Sequence, residues 1–139
     1  MDEGYTITYL DEPAWQMIGG GIRDYNIQQA GAGNEKNMCF ALRAKDGTIV
    51  GGVIGETHWN WLLINLMWIR QDLRGQGYGH QLLQAAEEEG RRRGVTHAYL
   101  DTFSFQAPEF YQKHGYQIFG VLEDFPPGHK RYYLTKQLV

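Results

Sequence analysis

The chain has 139 residues, a formal net charge of −3 and 42% hydrophobic residues, which are ordinary values for one globular domain. It has a single cysteine, Cys39, which excludes an intramolecular disulfide and favours a reducing, cytoplasmic compartment. Its apolar runs are too short to span a bilayer. Because the first residues are acidic, we expect no signal peptide. The acidic balance argues against nucleic acid as a partner.

The first half of the chain predicts a strand, a helix and an antiparallel meander. The predicted elements are a strand over residues 5–10, a helix over 14–29 behind an acidic cap, and strands over 38–45, 49–57 and 61–69. Three glycines, Gly19 to Gly21, predict a kink or break in the helix, because each costs about 1 kcal/mol relative to alanine. Asp46-Gly47 is typical of a hairpin turn. The strand over 61–69 is apolar on both faces, which indicates a central position in the sheet.

The second half alternates helices and strands. The predicted elements are helices over residues 76–93 and 108–114 and strands over 95–105, 116–122 and 131–138. Acids at 87–89 precede arginines at 91–93 by four residues, which is the favourable order for ion pairs within a helix. The whole order is β-α-β-β-β-α-β-α-β-β. It predicts an α/β fold with a mixed, mostly antiparallel sheet flanked by helices, in a single domain over 1–139.

A glycine-rich segment, Arg74-Gly75-Gln76-Gly77-Tyr78-Gly79, joins the central strand to the long helix. A helix start carries unpaired N–H groups and a partial positive charge, and glycines let a phosphate approach the backbone closely. No acid occurs between Asp72 and Glu87, whereas Arg70, Arg74 and His80 surround the segment. The pattern predicts a phosphate site, and the alternative is a turn that only connects strand to helix. The glycine spacing fits neither a P-loop nor a dinucleotide fingerprint.

This segment resembles the Arg/Gln-x-x-Gly-x-Gly/Ala signature of the GNAT superfamily of acetyl-CoA-dependent N-acetyltransferases. A second block over residues 107–116, with Phe110-Tyr111 and Gly115-Tyr116, is similar to the family's Ala-x-x-Phe-Tyr-x-x-x-Gly-Phe/Tyr pattern. The order of elements agrees over nearly the whole chain. Residues 100–133 resemble a small bacterial group with mostly unassigned substrates.

The resemblance implies that acetyl-CoA (coenzyme A) binds between the glycine segment and the end of the preceding strand. The pyrophosphate contacts it implies are Arg74, Gly75, Gln76, Gly77, Tyr78 and Gly79, and the pantetheine contacts are Met67, Trp68 and Ile69. It also implies contacts from Phe110 and Tyr111. Ser104 stands where the family frequently has asparagine, so its contact with the pantetheine has a shorter reach.

The resemblance further implies transfer of an acetyl group to a primary amine by direct attack, with Tyr111 as the acid for the leaving thiolate. The alternative for Tyr111 is a packing aromatic. The base stays open between Glu56, Asp101 and water. If residues 58–60 form a turn, Glu56 lies across from Leu63 and on the face of Asn65. Asp101 shares a strand face with Tyr99 and Phe103, where a carboxylate beside aromatics often has a raised pKa.

Four residues are candidates for contact with the acceptor: Asn65, His58, Trp59 and Phe105. Asn65 cannot take a proton, so it would orient a water or the substrate, or it is a buried and hydrogen-bonded asparagine. The histidines show no metal-ligand spacing, and we expect no metal. The acceptor would be a small-molecule or peptide amine, and a monomer or homodimer is equally open. Two other readings stay open: a non-catalytic acyl-CoA sensor and a scaffold for protein interactions.

Overall fold

A computed structural model describes residues 4–139 and separates the chain into two compact units, the first ending at Gly33 and the second comprising Asn34–Val139. The described residues of the first unit form one helix, α1 (Trp15–Ala30). The strand expected over residues 5–10 is not formed, so that prediction was wrong. An alternating pattern describes a face that could be buried, but a strand also needs a hydrogen-bonded neighbour.

Helix α1 begins without the predicted acidic cap. Its N-cap is Ala14, which has no side-chain hydrogen bond to the helix. The helix also continues without interruption through the three glycines, so the expected break does not occur. Each glycine lowers the stability of a helix by only a modest amount, and the backbone hydrogen bonds of a sixteen-residue helix outweigh this cost.

The second unit is a six-stranded mixed sheet with two helices. The strands are β1 (Lys36–Arg43), β2 (Ile49–His58), β3 (Trp61–Ile69), β4 (His97–Phe103), β5 (Gln117–Glu123) and β6 (Lys130–Gln137). They lie in the order β1-β2-β3-β4-β6-β5, and only β3 and β4 are parallel. The helices are α2 (Tyr78–Arg92) and α3 (Pro108–Lys113). The predicted fold class, the meander and the central position of β3 are confirmed.

Two tight turns hold the meander in register. In the first, Gly47 has a φ of +89° and the Thr48 N–H donates to Asp46 Oδ1 over 3.0 Å. In the second, Trp59 and Asn60 both have positive φ values, as two-residue hairpin loops require. The second turn pairs Glu56 with Leu63, which confirms the register expected from the sequence.

The core lies between α2 and the sheet. Leu82, Leu83 and Ala86 form an apolar stripe on α2 and are buried together with Leu62 and Ile64 of β3. Because inward-facing residues alternate along each strand, the sheet face opposite α2 carries the other residues of β2, β3 and β4. The polar candidates for chemistry lie there.

The basic end of α2 is bound to its own helix and to β1. Arg91 pairs with Glu87 over 3.7 Å and Arg93 with Glu89 over 2.9 Å, each at the predicted spacing of four. The guanidinium of Arg93 also donates to the backbone oxygen of Lys36 over 2.9 Å. These contacts attach the end of the helix to the edge of the sheet.

Candidate active site

The two parallel strands at the centre of the sheet separate partway along their length. Pairing between β3 and β4 extends from Trp61 with His97 to Ile64 with Leu100 and then stops. Beyond that point β3 pairs only with β2, and a bulge leaves Asn65 without a partner across the ladder. The rest of β3, residues 65–69, therefore presents a strand edge that does not pair with β4. Such an edge can accept an extended ligand as an added strand.

A cavity of about 670 Å³ lies at this opening. It brings together most of the residues predicted for the site: Asn65, Met67, Trp68, Ile69, Arg74, Gly75, Gly77, Gly79, Asp101, Phe105, Phe110 and Tyr111. These residues come from five different segments of the chain. The sequence motifs therefore converge on one cavity, as expected for a cofactor site.

The glycine loop, Arg74–Gly79, borders this cavity with an open backbone. Gly75 and Gly77 have φ values of +77° and +90°, and apart from the adjoining residues no atom lies within 4 Å of where a Cβ would stand at either residue. Helix α2 begins directly afterwards, without an acid in its first turn and without a side-chain cap. It starts two residues later than predicted, because Gly77 is left-handed rather than helical. Unpaired N–H groups and open space together suit an anionic ligand.

Gly79 has a different role from the other two glycines. A Cβ on Gly79 would lie 3.2 Å from Cζ of Phe110, which is tighter than ordinary contact. The missing side chain therefore allows α2 and α3 to pack closely at the cavity wall.

The charged side chains around the glycine loop leave one cation for a ligand. Arg70 is bound to Asp72 over 2.6 Å, and this hydrogen bond lowers the pKa of the Asp72 carboxyl. The Nε of Arg74 donates to the backbone oxygen of Ile69 over 2.9 Å, and Arg74 forms no ion pair with any described residue. Arg74 lines the cavity, so its guanidinium is the cation available to an anionic ligand there.

Tyr111 lies on the cavity wall with its ring against the core. Its ring centroid is 5.2 Å from that of Phe110 and 6.0 Å from that of Tyr116, both in edge-on packing. Burial raises the pKa of the Tyr111 hydroxyl, so the group stays protonated at neutral pH and can donate a hydrogen bond.

A second, smaller hollow of about 220 Å³ lies on the sheet face opposite α2. Three predicted residues, Glu56, His58 and Trp59, line this hollow rather than the main cavity. The Nδ2 of Asn65 donates to Glu56 over 3.4 Å, which joins the two spaces. Glu56 forms no ion pair within residues 4–139.

Tyr99 lies between two carboxylates on this face. Burial raises the pKa of the Tyr99 hydroxyl, and the negative charges of Glu56 and Asp101 raise it further. Asp101 itself is bound to the guanidinium of Arg131. That guanidinium lies 4.8 Å from the ring centroid of Phe125, so aromatic packing fixes the ion pair in place.

Three predicted cofactor residues do not line the cavity: Gln76, Tyr78 and Ser104. The Nε2 of Gln76 donates to the backbone oxygen of Asp72 over 3.2 Å and so braces the loop. The Oγ of Ser104 accepts from the Lys130 N–H over 3.0 Å, which occupies it in holding β6.

Sequence reasoning also left out several residues of the cavity. Gln106 lines it, and its Oε1 accepts from the Phe103 N–H over 2.8 Å, which shapes the turn before α3. His80 lines it as well. The only signal for His80 was its place beside the glycines, and nothing in the sequence indicated its partner, His114.

None of the described helices is long and apolar enough to cross a membrane. The described His, Cys, Asp and Glu side chains form no group of three or more that could hold a metal ion.

Comparison with known proteins finds acetyltransferases. The chain is 32% identical to Acetyltransferase Atu2258 of Agrobacterium fabrum over 91% of this chain and 93% of that protein. It is 38% identical to a blasticidin-S acetyltransferase of Streptomyces morookaense over 66% of this chain and 68% of that protein. The crystal structure of an acetyltransferase from Bacillus cereus matches with a TM-score of 0.86 and 32% identity, covering 94% and 97% of the two chains.

The fold, the cavity and these relatives define an acetyltransferase. The model of the Acetyltransferase (GNAT) family matches residues 3–116. The chain belongs to that family, and acetyl-CoA is its acetyl donor.

Proposed function

We propose that this protein is an N-acetyltransferase that transfers the acetyl group to a primary amine by direct attack in a ternary complex. The observation that carries the proposal is the convergence of three features on one cavity: the glycine loop, the open edge of β3 and the hydroxyl-bearing ring of Tyr111. Bound acetyl-CoA would supply the activated thioester. The chain would supply binding, orientation and proton transfer.

The cavity fits this cofactor in shape and in charge. The open space at Gly75 and Gly77 would admit the pyrophosphate to the N–H groups at the start of α2. The edge of β3 over Met67–Ile69 would pair with the pantetheine arm, whose amide groups need hydrogen-bond partners. A backbone N–H at the same edge would stabilise the oxyanion that forms at the thioester carbonyl.

Two carboxylates would act on the acceptor amine, one by positioning it and one by removing its proton. An alkyl amine with a pKa near 10.4 must lose a proton before it attacks, which costs roughly 4–5 kcal/mol at pH 7. The Asp101 carboxylate is already bound to Arg131, so we assign it to positioning the amine. Glu56 has no such partner among the described residues, and we assign it as the base, acting through a water held with Asn65.

The acceptor is proposed to be a small cationic amine. The face opposite α2 offers the Glu56 carboxylate beside the rings of Trp61 and Tyr99, and aromatic faces and carboxylates both attract cations. The name of the Streptomyces morookaense relative gives blasticidin S as the acceptor of that protein. Blasticidin S is therefore the first amine to test.

The experiment is thiol release from acetyl-CoA against a panel of amines that includes blasticidin S, polyamines and a peptide with a free N-terminus. With an accepted amine, Tyr111→Phe should lose one hydrogen bond to the charged leaving group and lower kcat by about 10- to 100-fold, and it should leave the Kd for acetyl-CoA within about threefold. The matched control is Tyr132→Phe, because Tyr132 packs against the same core but does not line the cavity. An unchanged kcat for Tyr111→Phe would refute its role. Acetyl-CoA binding without release of thiol by any amine would favour an acyl-CoA sensor.

A further inference from the structure

Two histidines form a hydrogen-bonded pair at the wall of the cavity. His80 is the third residue of α2, and His114 directly follows α3. The Nδ1 of His80 lies 2.8 Å from the Nε2 of His114, and the Nδ1 of His114 lies 2.8 Å from the backbone oxygen of Phe110. The chain of contacts therefore runs from a fixed carbonyl through His114 to a residue that lines the cavity.

The carbonyl determines where the protons lie. A backbone oxygen can only accept, so the Nδ1 of His114 must carry a hydrogen. In neutral His114 the Nε2 is then an acceptor, and the Nδ1 of His80 must donate to it. Neutral His80 is thereby left with a bare lone pair on Nε2.

An added proton reverses the character of the exposed nitrogen. When the pair carries one extra proton, on either ring, Nε2 of His80 bears a hydrogen and the pair is positively charged. In the neutral pair the Nε2 lone pair would repel a phosphate oxygen. In the cationic pair the Nε2–H would donate a charge-assisted hydrogen bond to that oxygen.

We propose that His80 binds the diphosphate of coenzyme A through Nε2–H, that His114 is its positioning residue, and that the pair takes up a proton as the cofactor binds. The proposal deepens the assigned cofactor site and rests on the placement of the pyrophosphate at the glycine loop. It adds a side-chain donor to the backbone donors already described.

The charged groups around the pair leave the positive charge for the ligand to neutralise. The cavity also contains Arg74, Asp101 and Tyr111, and Asp101 is already bound to Arg131. On the short helix α3 the charged residues are Glu109 and Lys113. The nearest acid along α2 is Glu87, which is buried against Lys136 over 2.9 Å. Neither histidine forms an ion pair with any residue that the structure describes.

The test is calorimetric titration of the whole protein with 3′-dephospho-CoA between pH 6 and 8, in buffers of different ionisation enthalpy. This ligand keeps the diphosphate but lacks the phosphomonoester, which titrates in the same range. The wild-type protein should take up a fraction of a proton, and its Kd should rise with pH by at most about tenfold per unit. Pantetheine has no diphosphate, so its binding should take up no proton.

Variants separate the two histidines. His114→Leu leaves the ring of His80 free to carry its hydrogen on Nε2 while neutral, so proton uptake should be smaller than in the wild type while affinity at pH 8 is kept or improved. His80→Leu should lose both the proton uptake and about 3- to 10-fold in affinity at pH 6.5. His80→Arg should restore the affinity without pH dependence. His97→Gln is the matched control, because His97 stacks on Trp61 away from the cavity.

The outcomes distinguish this inference from the assignment beneath it. If 3′-dephospho-CoA binds no more tightly than pantetheine, the pyrophosphate does not lie at the glycine loop. The assignment of the pyrophosphate site and the histidine proposal then both fail. If it binds more tightly but without proton uptake, or if His114→Leu takes up the same number of protons as the wild type, the histidine proposal alone is overturned.

Discussion

The glycine loop can be tested by adding one methyl group to Gly77. Its φ of +90° costs an alanine about 1–2 kcal/mol, and no atom lies within 4 Å of the new Cβ. The variant should therefore fold, and this strain alone should lower its Tm by roughly 3–8 °C. The same methyl would stand in the space that the pyrophosphate is proposed to fill. Each charge-assisted hydrogen bond it disrupts is worth about 1.5–3 kcal/mol, so acetyl-CoA should bind about 10- to 100-fold more weakly.

Gly94 is the matched control for the same strain. It has a φ of +87°, also with no atom within 4 Å of a Cβ, and it follows the other end of α2, about 22 Å along the helix axis. Gly94→Ala should lower Tm about as much as Gly77→Ala does.

The assay compares both variants by thermal unfolding with and without acetyl-CoA. At 100 times the wild-type Kd, the ligand should stabilise Gly94→Ala by about 2.7 kcal/mol. A hundredfold loss of affinity would leave only about 0.4 kcal/mol for Gly77→Ala. Equal ligand-induced shifts in the two variants would show that the loop does not contact the cofactor.

Two further predictions concern stability. A Cβ on Gly55 would lie 2.7 Å from the backbone oxygen of Leu63. Because the backbone of a sheet can move little, Gly55→Ala should lower the free energy of unfolding, measured in urea, by about 3 kcal/mol. A decrease of less than about 1 kcal/mol would contradict the β2–β3 register. Burial raises the pKa of Tyr111 and Tyr116, so above pH 10 the unfolded chain binds fewer protons than the folded one. Stability should then fall as pH rises, by up to about 1.4 kcal/mol per unit for each tyrosine, and Tyr111→Phe should flatten this slope.

The elements that the sequence predicted well are those determined by a short stretch of neighbouring residues. Strand β3 was predicted with its observed bounds, because nine mostly apolar residues between two turn signals describe a buried strand. The glycine loop was predicted because positive φ values select glycine at particular positions. The strand over residues 5–10 failed because its formation depends on a neighbour that the pattern cannot specify.

The candidate site was predictable where it depends on register and not where it depends on distant contacts. The expected turn over residues 58–60 was enough to place Glu56 across from Leu63, which is the observed pair. The ion pair of Asp101 with Arg131 joins residues thirty positions apart. It depends on how β4 and β6 pair, for which the sequence has no local marker. The same holds for His80 and His114, whose contact follows from the packing of α2 against α3.

The environment of Tyr111 bears on how it would assist the leaving thiolate. An unperturbed tyrosine has a pKa about 1.5 units above that of a thiol, so full proton transfer to the thiolate is uphill by about 2 kcal/mol. Burial raises the pKa of Tyr111 and makes complete transfer less favourable still. The same burial strengthens a hydrogen bond from the neutral hydroxyl to a negative sulfur, because the local dielectric is low. On the proposed mechanism Tyr111 therefore acts first as a hydrogen-bond donor that stabilises the thiolate. Tyr111 then keeps its own proton, and the thiolate would take a proton from solvent as coenzyme A leaves. The proton removed from the amine at Glu56 would leave through solvent.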